Sequence, residues 1–148
     1  MSNQKLINPV LSFLHMAIRG RKSPYKSNGE RRIADFLESR DMAFQYEYPL
    51  AIRDHGQVRI WYPDFRLPEF GTIIEYFGMN GNTAYDEQMA HKISAYRAVG
   101  IDGIYLTESS FRGDWQELIL DRIEQTLEGK LRRISMVSRM ERSVPVIA

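Results

Sequence analysis

Hydrophobic residues recur every three or four positions in four stretches of the chain, and every second position in several others. Ile7, Val10, Leu11, Leu14 and Ile18 mark one face of a helix, with Asn8 as N-cap and Pro9 at the first helical position. Ile33, Ala34 and Leu37 mark a second helix, opened by Ser27 and Glu30 at capping-box spacing and running to about Arg40. Phe44, Tyr46, Tyr48 and Leu50 alternate with Gln45 and Glu47, which predicts a half-buried strand over 43–50. "RDHG" (53–56) reads as a turn, and "QVRIWY" (57–62) and "TIIEYF" (72–77) as the two arms of a hairpin. A loop at 78–82 leads to Thr83 as cap of a helix over 84–99, stopped by Gly100. "DGIYLT" (102–107) is a short buried strand. The last helix starts at Asp114 and Glu117, shows Trp115, Leu118, Ile119, Ile123 and Leu127, and is expected to end at Gly129.

A meander, a crossover helix and another strand imply an α/β fold, with a mixed central sheet flanked by helices. No repeat or Gly/Ser-rich linker divides the chain. It reads as a single domain: an N-terminal helix in 1–21, a core in 22–129 and a basic C-terminal extension in 130–148, helical in part.

The hairpin raises the chemical question. If its turn is symmetric about Pro68 and Gly71, residues whose numbers sum to 139 face each other, so Tyr62 meets Phe77 and Asp64 meets Glu75. Like charges in directly opposed positions are destabilising. Pro63 inside the strand implies an edge or bulge that can shift this pairing. A facing carboxylate pair is tolerated by a shared proton, by a basic partner such as Arg59 or Arg66, or by a hard divalent cation. Glu30, three, four and seven residues before Ile33, Ala34 and Leu37, shares their inward face and supplies a third acid, or serves only as half of a capping box. Glu47 is a weaker fourth.

Lys92 can complete such a site. Glu75 precedes the strand end by roughly 10 Å at ~3.3 Å per residue. Lys92 lies roughly 12 Å into the next helix at ~1.5 Å per residue. If that helix folds back along the strand the two come level, with Gln88 and Tyr96 one turn to either side. Tyr85, Met89 and Tyr96 otherwise read as core. His15, His55 and His91 show no metal-ligand spacing and read as structural or solvated residues, with His55 in its turn the one worth testing.

Composition narrows the classes. The 148 residues include no cysteine, which removes disulfides and thiolate chemistry and fits a reducing, intracellular and cytoplasmic setting rather than secretion. The first apolar stretch, broken by Asn8, Pro9, Ser12 and His15, is too short and polar to span a membrane. The net charge of +1 conceals a segregation: residues 1–32 carry +6 and 129–148 carry +4, leaving −9 for the middle. Basic ends around an acidic centre suit a polyanionic partner, and Arg19, Arg21, Lys22, Lys26, Arg31 and Arg32 are the candidate phosphate contacts; a solvated basic segment is the alternative.

"SNGERRIADFLESRDMAFQYEYPL", "YPDFRLPEFGTIIEYFG" and "YDEQMAHKISAYRAVGIDGIYLT" together resemble the PD-(D/E)xK nuclease superfamily over about residues 22–127. The similarity is closest to small helicase-associated domains, and more distant to very-short-patch-repair endonucleases. The resemblance implies a restriction-endonuclease-like αβββαβ core that cuts DNA with Mg²⁺ or Mn²⁺, leaving 5′-phosphate and 3′-hydroxyl ends. It makes Asp64 and Glu75 the metal-binding acids, Glu30 the helix-borne acid that joins the metal set through water or a second ion, and Lys92 a catalytic lysine moved to the helix. The departure is Phe77, which stands where the family's strand lysine belongs. That departure leaves open a non-catalytic nucleic-acid-binding or assembly module. The basic ends, as docking surfaces on a small chain, leave open a nuclease subunit active only with a partner such as a helicase or recombinase. Homodimerisation would account for double-strand cutting.

Overall fold

The computed structural model describes residues 23–78 and 83–142. Helix α1 spans Asn28–Ser39 and is followed by β1 (Gln45–Tyr46), β2 (Leu50–Asp54), β3 (Gln57–Trp61), β4 (Phe65–Leu67) and β5 (Thr72–Phe77). Then come α2 (Thr83–Ala98), β6 (Asp102–Thr107), a 3-10 turn at Glu108–Arg112 and the long α3 (Trp115–Arg142). The main sheet is mixed, in the order β1-β4-β5-β6, with its last pair parallel. β2 and β3 form a separate two-stranded antiparallel sheet.

Alternation along β5 explains how two layers share one strand. Ile74 points into a core with Ile33, Ala34 and Leu37 of α1, Phe65 and Leu67 of β4, Ile104 and Leu106 of β6, and Ile119 of α3. Ile73 points to the other side, where it joins Ile52 of β2 and Ala95 and Tyr96 of α2. A strand covered on both faces needs apolar residues at consecutive positions, hence "TII" rather than a strict alternation. Each fully buried Ile, Leu or Phe here contributes roughly 1.5–3 kcal/mol over its exposed state.

The β4–β5 register follows the expected sum of 139: Phe65 pairs Ile74, Arg66 pairs Ile73 and Leu67 pairs Thr72. Other expectations need correction. "QVRIWY" does not pair with "TIIEYF"; β3 pairs with β2, Leu50 against Trp61, and the chain breaks at Tyr62–Asp64 before β4 begins. Pro63 has no N–H to give a ladder, so the long arm divides there. Tyr62 is exposed, and Phe77 packs on Tyr85 and Tyr105 rather than opposite it.

The strand expected over 43–50 is likewise two pieces. Glu47 takes a positive φ of 46° and turns the chain out of the main sheet between β1 and β2. The β2–β3 turn is tight, with φ of 47° at His55 and 78° at Gly56. Positive φ at both central residues is the type I′ pattern that matches strand twist in two-residue hairpins.

α3 runs through Gly129 instead of ending there. A mid-helix glycine costs about 1 kcal/mol relative to alanine, and the helix continues past it with a long-range contact from the next residue. The Lys130 ammonium donates to the Phe70 carbonyl and, at 3.2 Å, to that of Gly71, while Arg132 reaches back one turn to Glu128 at 2.6 Å. Of the expected stripe Trp115, Ile119 and Ile123 are buried, whereas Leu118 and Leu127 are partly exposed. The N-terminal helix proposed around Pro9, with Arg19, Arg21 and Lys22, lies outside the described residues. No helix among the described residues is long and apolar enough to cross a membrane.

Candidate active site

Glu75 sits in the centre of β5 and is 2% exposed. Its position two residues after Ile73 turns it toward α2, where burying a lone carboxylate would cost several kcal/mol. α2 supplies the partners. Lys92 donates to both carboxylate oxygens at 3.0 and 2.9 Å, and the Tyr96 hydroxyl donates to Oε1 at 2.7 Å. Burial beside this carboxylate pushes the Tyr96 phenol well above its ordinary range. Tyr96 is therefore both core and site: fully buried, yet oriented by an acid.

Asp64 lies between Pro63 and β4, one residue beyond the end of the β4–β5 ladder. Its Oδ2 accepts the Tyr76 backbone N–H at 2.7 Å. Burial raises its pKa to about 7, against the pull of that N–H; nearby Glu75 and Glu30 raise it further and Lys92 lowers it. The expected juxtaposition is thus present, in the form of a strand residue and a pre-strand residue rather than a ladder pair. Asp64, Glu75, Phe77, Tyr85, Gln88 and Lys92 line one cleft of about 200 Å³, together with Tyr76 and Met89. Arg59 and Arg66, the alternative partners for these acids, are turned elsewhere: Arg59 toward Asp54 at 3.7 Å and Arg66 over the Tyr48 ring at 5.2 Å.

Glu30 is buried but does not line this cleft. Its backbone N–H donates to Ser27 Oγ at 3.0 Å, half of the expected capping box. The other half is displaced by one residue, since the Glu30 carboxylate accepts from the Lys26 N–H at 2.9 Å and from the Tyr46 hydroxyl. Glu47 is taken by an ion pair with Lys26. Among the basic candidates, Lys26 is thus paired, Arg31 donates to Asn28 at 2.6 Å, and Arg32 stacks 4.1 Å over the Phe111 ring.

A second cluster escaped the sequence reading. Asp54, buried at the end of β2, has His91 Nε2 at 3.1 Å and His55 Nε2 at 3.8 Å from its Oδ1. The two imidazoles are stacked, centroids 5.2 Å apart and planes 7° from parallel. Among the described residues, this is the one group of three His or carboxylate side chains whose ligand atoms all lie within 4.8 Å of one another, and it can hold a metal ion. Glu30, Asp64 and Glu75 do not form such a group. No linear spacing could reveal it, because His55 is in a hairpin turn and His91 on a distant helix.

No protein-family model and no curated protein matches the chain.

Proposed function

We propose that this chain is a divalent-metal-dependent DNA endonuclease with a restriction-endonuclease-like core of the PD-(D/E)xK type. The observation that carries the reading is the meeting of Asp64, Glu75 and Lys92 in one cleft, with Lys92 arriving from α2. The strand position two residues after Glu75 is filled by Phe77, whose ring lies 6.0 Å from the Lys92 ammonium. The charge is thus supplied from the helix to the place a strand lysine would otherwise serve.

The donor set fits a hard cation. Buried Glu75 and partly buried Asp64 share one ammonium, and the pKa of Asp64, raised first by removal from water, is raised further by the charges of Glu75 and Glu30. Oxygen donors of this kind suit Mg²⁺ or Mn²⁺, with Asp64 and Glu75 as the holding residues. Such an ion supplies an acidified water and neutralises charge on a phosphoryl oxygen. Lys92 orients the attacking water and stabilises the charged phosphate, while Glu30 acts at a distance through its field on Asp64. Gln88 and Tyr85 line the approach for the scissile strand.

Plasmid nicking in Mg²⁺ or Mn²⁺ tests this. Wild type is expected to cut, Asp64→Ala to be inactive, and Lys92→Ala to be slower by about 10²-fold or more. Equal cleavage by wild type and Asp64→Ala ends the assignment.

One observation favours a rival. Glu75 is already satisfied by Lys92 and Tyr96, as in a structural ion pair, which fits a nucleic-acid-binding module without catalysis. Salt-sensitive DNA binding with no cleavage supports that module. A Mn²⁺ binding isotherm lost in Glu75→Gln counts against it.

A further inference from the structure

We propose that Asp54, His55 and His91 form a zinc site that fastens the tip of the β2–β3 hairpin to α2. The site is separate from the carboxylate cleft and does not depend on the nuclease reading. A tetrahedral Zn²⁺ bonded at about 2.0–2.1 Å holds its ligand atoms roughly 3.3 Å apart. Here Asp54 Oδ1 lies 3.1 Å from His91 Nε2 and 3.8 Å from His55 Nε2. Both separations from Asp54 are thus near what the ion requires, and all three ligand atoms lie within 4.8 Å of one another. The imidazoles, stacked with planes 7° apart, have to turn so that both in-plane lone pairs meet one ion.

The chemistry of the set narrows the metal to the ions that imidazole binds well, Zn²⁺ among them. Two imidazoles with one carboxylate favour Zn²⁺ over Mg²⁺ or Ca²⁺, which prefer all-oxygen shells. Asp54 is 6% exposed, whereas the His55 and His91 side chains are 79% and 44% exposed. The anionic anchor is thus fixed and both imidazoles have room to close on an ion, with a fourth position open to water.

Two further features point the same way. His55 holds a φ of 47°, where glycine or asparagine is the easier choice for a type I′ turn. Backbone in sparsely populated regions collects at ligand clamps, and here the strained residue is a ligand. A two-stranded hairpin is also marginal by itself. This one packs through Ile52 at its centre and Trp61 at its base, against Tyr96, which leaves polar contacts to hold its tip. A metal joining Asp54 and His55 to His91 fixes that tip and the stretch of α2 that carries Lys92.

The test is Zn²⁺ titration by calorimetry on the full chain after chelator treatment, paired with thermal melts and with Co²⁺ absorption spectra. His55→Asn keeps a residue suited to positive φ, and His91→Gln changes an exposed position, so both variants are expected to fold. Wild type is expected to bind one Zn²⁺ per chain, to melt at higher temperature with zinc, and to give visible Co²⁺ bands. Each histidine variant is expected to bind zinc at least about tenfold more weakly and to lose the thermal shift. Asp64→Asn is expected to retain both. Failure of the wild type to bind zinc overturns the proposal. So does unchanged binding in either histidine variant, or loss of binding in Asp64→Asn, which would place the ion in the other cleft.

Discussion

Asp64 is the residue at which stability and chemistry diverge. Its folded-state pKa of about 7 stands above the ordinary 3.8, mainly through burial. Between those two values the native chain keeps a proton that the unfolded chain has lost. Stability from this group is therefore complete below about pH 4, falls as pH rises, and reaches its full deficit above about pH 7. Asp64→Asn removes the deficit. It is expected to raise unfolding free energy by about 2 kcal/mol at pH 8, an order-of-magnitude figure, and to change little near pH 4. Denaturant unfolding at the two pH values checks this, and a destabilised variant at pH 8 would refute it. The acidic pair was legible because residue alternation and a turn centred on Pro68–Gly71 follow from local geometry. The proton affinity was not, since it depends on how much water the surrounding helices exclude.

Between elements, the contact that matters most is β5 with α2. Lys92 and Tyr96 lie one turn apart, so a single helix face delivers both to Glu75. Removing the ammonium leaves a buried carboxylate without its counter-charge. Lys92→Ala is expected to destabilise by about 3 kcal/mol, the low end for a broken buried pair because Lys92 is partly exposed. Tyr96→Phe removes one bond to a charged acceptor and is expected to destabilise by about 1.5–3 kcal/mol. Denaturant melts of both, read against wild type, check these values; effects below about 0.5 kcal/mol would show that the network is not holding α2. Counting rise per residue was enough to bring Lys92 level with Glu75. Counting was not enough for the β2–β3 hairpin, whose second arm, "QVRIWY", is expected to pair with "TIIEYF" and instead pairs with β2. Strand-like composition in "QVRIWY" says that a strand forms there and leaves its partner open, and Pro63 then decides where the ladder stops.

For the whole molecule, charge distribution sets the terms of any encounter with DNA. The segregation of +6 and +4 at the ends around −9 makes the proposed binding depend on phosphate contacts rather than bases. Affinity is expected to fall by about 10³-fold or more between 50 and 200 mM salt, as for a protein that neutralises about six phosphates. Fluorescence anisotropy with a short duplex measures it, and a flat salt response would remove DNA as the partner. Lys26→Ala is expected to change that slope little, because Lys26 is already paired with Glu47.

The linear chain by itself determined the helices at 28–39, 83–98 and from 115, the strands at 72–77 and 102–107, and the bringing of Asp64 and Glu75 to one cleft. These rest on periodicity, caps and turn residues, which act over a few neighbouring positions. Tertiary structure alone decided the rest: the exchange of hairpin partners, the continuation of α3 past Gly129 through Lys130, the tying of Glu30 to Tyr46, and the gathering of Asp54, His55 and His91. Each of those depends on residues far apart in the chain becoming neighbours once a second layer packs on the sheet. Packing of that kind leaves no mark in local spacing.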